Sequence, residues 1–117
     1  MNQTKALDIQ LAFVGATIVA SSLSLIIIEM YKDISINKNH SKYNVKQIYN
    51  LSVLSSSIFL IVTIYFYISS YEQVKQDNSQ ANINYNMANA LSLTAQSIRF
   101  NTILKYPESI TGSQDII

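Results

Sequence analysis

Two stretches of this sequence carry no charge. Ile9 to Ile28 lies between Asp8 and Glu29, and Gln47 to Tyr71 lies between Lys46 and Glu72. A helix needs roughly 20 largely apolar residues to cross the hydrocarbon core of a bilayer, and each stretch reaches that length. The chain has 117 residues, and two such segments with their connection take more than half of it. Little remains for a soluble core. The expected class is all-α and integral to a membrane, with two transmembrane helices forming a hairpin.

The rest of the chain follows from that frame. We expect a polar lead over 1–6, a first span over 7–30, a basic polar loop over 31–46 and a second span over 47–72. A polar connection over 73–80, a third helix over 81–105 and a flexible tail over 106–117 complete it. Asp8 suits the positive dipole end of the first helix. Pro107 ends the third, because the residue before a proline disfavours helical geometry. The first stretch is expected to be retained rather than cleaved. Its apolar run exceeds a usual signal-peptide core and only Lys5 precedes it, although Ala20-Ser21-Ser22 loosely resembles a cleavage site.

The third segment differs in kind. It is uncharged until Arg99 but carries Asn82, Asn84, Asn86, Asn89, Gln96 and Asn101. Amides are costly in hydrocarbon without partners. At helical spacing Ile83, Met87, Ala90, Leu91, Thr94 and Ile98 share one face, and Asn89, Ser92, Gln96 and Arg99 fall on the other. The expectation is an amphipathic helix on the membrane surface or against a partner, with Ile83, Met87, Leu91 and Ile98 as its partner face. A third span satisfied only by protein contacts is the alternative.

Small residues mark the packing side of the first span. Ala12, Ala16, Ala20 and Ser24 form a small-xxx-small stripe with Gly15 beside it, and the second span offers Ser52 and Ser56. Such residues let helix backbones approach closely where lipid supplies no hydrophobic drive. Packing of the two spans as a hairpin is the simple reading, and a seam between subunits is the sharper one. The hydroxyls of Ser21, Ser22, Ser24, Ser55, Ser56 and Ser57 are expected to bond back to their own helices rather than line a path. No ionisable residue interrupts either span, as transport usually requires.

Tyr31 and Lys32 at the first exit, Tyr49 at one end of the second span and Tyr65, Tyr67 and Tyr71 at its other end are expected interfacial anchors. Lys32, Lys38, Lys42 and Lys46 concentrate in one loop, against Lys5 and Lys75 alone on the other flanks. The positive-inside rule puts residues 31–46 on the cytoplasmic side. The same lysines can meet anionic lipid, but they are too few and lack the aromatic platform of a nucleic-acid site.

The remaining features are bland. Glu29 is expected to pair with Lys32. His40 is a lone loop histidine in a chain without cysteine, which cannot complete a metal site. Asn2-Gln3-Thr4, Asn39-His40-Ser41 and Asn50-Leu51-Ser52 match the glycosylation triplet as an Asn- and Ser-rich chain does by coincidence. The net charge of +1 creates no global field. No phosphate loop, catalytic triad or carboxylate pair is present, so no enzyme, cofactor or small-molecule substrate is expected. The expected role is a structural or accessory subunit of a larger membrane assembly, a virion with an internal membrane being one such setting. The protein partners would be assembly subunits or further copies of the chain. A holin-like or toxin-like permeabilising protein, or a regulator of a transporter, is the alternative.

Overall fold

The computed structural model describes residues 3–37 and 43–106. Three helices account for nearly all of them: α1 (Gln3–Asn37), α2 (Val45–Gln76) and α3 (Gln80–Lys105). Lys38, Lys42, the triplet at Asn39, His40, Asn2 and the tail from Pro107 lie outside the described residues.

Local chemistry sets the boundaries. α1 passes its expected end at Met30 and runs to Asn37. No Gly or Pro interrupts 31–37, and the Asn37 side-chain amide donates to Asp33 at 2.8 Å, one turn back. α2 starts at a reciprocal cap. The Asn44 side chain accepts from the Gln47 backbone N–H, and the Gln47 side chain accepts from the Asn44 backbone N–H, both at 2.9 Å. Ser79 caps α3 by accepting from the Asn82 N–H at 3.3 Å. Only Asp77 to Ser79 separate α2 from α3, so the two must run antiparallel as neighbours. The Asn82 amide closes this turn by donating to the Asp77 carbonyl at 2.7 Å.

α2 is the central element. α1 and α3 each pack along it and not on each other. The molecule is a rod of 58 × 26 × 20 Å. Its long axis matches α1, whose 35 residues extend about 52 Å at the α-helical rise.

Between α1 and α2 the packing is close and partly polar. Ala20 is 0% exposed and Ser55 2%. The Ser55 hydroxyl donates across the seam to the Ala20 carbonyl at 3.0 Å. Ser24 donates to the same carbonyl at 3.2 Å, which brings the two hydroxyls 3.3 Å apart. Farther along, Phe13 and Tyr65 stack with centroids 4.0 Å apart. Such polar contacts between helices contribute about 0.6–2 kcal/mol each where lipid is the surrounding medium.

The distribution of polarity is inverted relative to a water-soluble protein. The most buried side chains include Ser52, Ser55, Ser56 and Ser70, beside Ala20, Met30, Ile48, Val62 and Ile103. Large apolar side chains point outward: Leu11 is 68% exposed and Leu91 71%, and Ile18, Leu25, Ile28, Ile61 and Ile68 are also exposed. α1 and α2 are long and apolar enough to cross a membrane, and only 6% and 22% of their most apolar windows are buried. α3 does not meet that test.

Candidate functional site

A second set of interior polar groups lines the seam between α2 and α3. Asn82, Asn86, Asn89, Leu93, Gln96, Phe100 and Ile103 recur at alternating steps of four and three residues. That spacing keeps them on one side of a helix packed against an antiparallel neighbour. All are at least half-buried. The opposing side of α2 presents Phe66, Ser70 and, two heptads before Ser70, Ser56.

The amides bond to the α2 main chain. The Asn86 side chain donates to the Ser70 hydroxyl at 3.0 Å and to the Tyr67 carbonyl at 3.4 Å. Ser70 itself donates to the Tyr67 carbonyl at 3.0 Å. The Asn89 side chain donates to the Phe66 carbonyl at 3.4 Å. A helical carbonyl has a second lone pair beyond the one its own helix uses, so these bonds leave the α2 ladder intact. Among the described residues two buried side-chain atoms have no partner: Ser56 Oγ and Gln96 Oε1.

At the turn end the seam opens into a cleft of about 230 Å³, lined by Gln10, Phe66, Ser69, Ser70, Gln73, Tyr85 and Asn89. Its lining offers amides and hydroxyls, and no carboxylate, ammonium or imidazole group. Among the described residues no cluster of three metal-ligating side chains stands together. The arrangement provides hydrogen-bond donors and acceptors and shape.

Several residues take positions other than those expected. Met87, Leu91 and Ile98 are exposed and Ile83 half-buried, whereas Asn89 and Gln96, expected to face outward, turn toward α2. Inside the chain the partner face of α3 is therefore the amide face. The cause is supply: α2 offers carbonyl lone pairs and a serine to amides that have no other partner. In the small-residue stripe, Ala20 and Ser24 reach α2, Ala16 is half-buried and Ala12 is exposed. Gly15 makes no close approach, since a Cβ there would meet nothing within 4 Å. Ser52 and Ser56 are buried, as a packing role requires.

Tyr65 is a packing residue, stacked on Phe13. Tyr67 and Tyr71 lie ring to ring at 6.4 Å near the α2 C-terminus, with the Lys75 ammonium 4.8 Å from the centre of the Tyr71 ring. Tyr31 and Tyr49 are half-buried and Lys32 is exposed. Lys75 also pairs with Glu72 at 3.7 Å. The expected pair between Glu29 and Lys32 is not among the contacts seen. Hydroxyls away from the seams bond back to their own helices, as Ser22 does to Ile18, Ser57 to Val53 and Thr94 to Ala90. Two serines expected to bond back do not: Ser56 Oγ is buried without a partner, and Ser55 crosses to α1, which spacing alone did not single out. A serine one turn from Ser52 and beside Ser56 was the available signal.

Comparison of the chain with protein-family models, with curated proteins and with solved structures gives no match in any of the three.

Proposed function

We propose that this chain is a non-enzymatic integral membrane protein that serves as a structural or accessory subunit of a larger membrane assembly. α1 and α2 cross the bilayer as a hairpin, and α3 crosses beside α2 as a third span, with Asn82, Asn86, Asn89 and Gln96 turned inward and Asn84 and Asn101 left on its outer surface. The observation that carries this is the inverted polarity of the molecule. Leucine and isoleucine cover the outside of α1 and α2, while serines and amides fill the seams. In water that surface would be an unusually large apolar patch. In lipid it is the required exterior, and the polar seams are the usual glue between helices.

With three crossings, Lys32, Lys46 and Lys105 would stand at one end of the bundle. Lys5 and Lys75 stand at the other, with Asp8, Glu72 and Asp77. The lysine-rich end is assigned to the cytoplasmic side. The accessory role follows from the chemistry offered, which is packing and hydrogen bonding.

The test is made in native membranes. The protein is expected to resist extraction by alkaline carbonate and to migrate, after mild detergent, in a particle larger than a detergent-bound monomer. Release by carbonate would refute the membrane reading. A lone monomer would refute the assembly reading, and loss of membrane potential on expression would favour a permeabilising protein instead.

A further inference from the structure

Arg99 is the one charge that the helical register carries deep into the apolar zone. The bonds from Asn86 to Ser70 and from Asn89 to Phe66 fix the antiparallel register of α3 on α2. Continued down the seam, that register sets Arg99 level with Ser56. The contacts of Ser55 with Ala20 and of Tyr65 with Phe13 set Ser56 level with residues 19–22 of α1. Both levels lie inside the uncharged stretches Ile9 to Ile28 and Gln47 to Tyr71. At the α-helical rise Arg99 stands about 15 Å from the level of Lys46 and about 24 Å from that of Glu72. A hydrocarbon slab about 30 Å thick centred on these stretches holds the Arg99 backbone within about 5 Å of its midplane. Snorkelling lifts a guanidinium by one side-chain length, about 6 Å, which falls short of the roughly 10 Å to the headgroups.

The Arg99 side chain is exposed on the outer surface of α3. Among the described residues the carboxylates are Asp8, Glu29, Asp33, Glu72 and Asp77, and all of them lie outside the uncharged stretches, so none of them stands at that depth. A second copy packed symmetrically on this surface would bring arginine to arginine. Charges at mid-bilayer depth almost always face other protein or water and pair there. Arg99 shares its strip of α3 with Ala88, Ser92 and Ala95, all exposed, and small side chains there let another helix come close.

We propose that Arg99 anchors a docking strip on α3 for a transmembrane helix of a different protein, one that carries a carboxylate at matching depth. The pair would be a charge-assisted, bidentate guanidinium–carboxylate contact, which is short and geometrically selective. This proposal rests on α3 crossing the membrane as the third span.

The test uses the full chain in phosphatidylcholine vesicles with two fluorescent leucine-rich model helices. One has a central Glu and the other Leu at that position. Energy transfer to the protein is expected at about tenfold lower helix concentration for the Glu helix. That advantage is expected to vanish in Arg99→Leu and to persist in Arg99→Lys. Equal transfer to both helices, or an advantage that survives Arg99→Leu, overturns the proposal. Self-association of the protein that is lost in Arg99→Leu overturns it in favour of a second copy. In the same vesicles a fluorophore on Leu91→Cys is expected to be quenched by brominated lipid. Absence of quenching refutes the third span and the docking strip together. Quenching with no preference for the Glu helix refutes the docking strip alone.

Discussion

At the scale of single residues, burial and hydrogen bonding separate side chains that composition treats alike. Ser55 and Ser57 are both hydroxyls within α2. Ser57 returns its proton to Val53 in its own helix, whereas Ser55 spends it on Ala20 of α1. Ser55→Ala is therefore expected to loosen the hairpin by about 1 kcal/mol, and Ser57→Ala to change it by less than half of that. Reversible unfolding of the two variants in detergent micelles measures the difference, and equal losses would contradict it. Gly15 is the complementary case. It stands beside the small-residue stripe, but a methyl group there meets open space. Gly15→Ala is expected to leave the hairpin intact and to stabilise α1 by up to about 1 kcal/mol, read as a higher midpoint in the same experiment. A fall in the midpoint would mean that another helix approaches this position closely.

The three helices differ in how far the sequence disclosed them. α1 and α2 were legible because uncharged runs bounded by Asp8, Glu29, Lys46 and Glu72 mark them without reference to any neighbour. The reciprocal cap at Asn44 and Gln47 and the caps of α3 at Ser79 and Tyr106 are local patterns too. The orientation of α3 was not legible from polarity alone. Sorting its residues into an apolar inner face and a polar outer face assumes water outside. Asn86, Asn89 and Gln96 obey the opposite sense, because their partners belong to another helix: Ser70 and the carbonyls of Phe66 and Tyr67 for the two asparagines. The four-and-three recurrence from Asn82 to Ile103 was in the sequence, but it became a seam only once α2 stood opposite. Asn86→Leu tests that seam. It removes a donor to Ser70 and Tyr67 and is expected to weaken the α2–α3 contact by about 1 kcal/mol. Leu91→Ala, on the exposed face, is expected to cost less. Proteolysis of α3 in micelles reports both, and greater sensitivity in Leu91→Ala would contradict the assignment of faces.

As a whole the three helices form an open array rather than a closed bundle. α2 is covered on two sides, and α1 and α3 leave much of their surface without a neighbour. In the proposed assembly a chain with so little interior would draw its stability from lipid on the outside, from the hydroxyl and amide seams inside and from further subunits. The central claim of the proposal is that α3 lies in the bilayer with Asn86 and Asn89 against α2 and Leu91 in lipid. Single cysteines at Asn78, Asn89 and Leu91, treated in intact vesicles with a membrane-impermeant thiol reagent, test it most directly. Asn78→Cys, in the turn, is expected to label rapidly from one side of the membrane. Asn89→Cys and Leu91→Cys are both expected to resist, the first inside the seam and the second in hydrocarbon. Rapid labelling of Leu91→Cys, at a rate matching the turn, would contradict the third crossing.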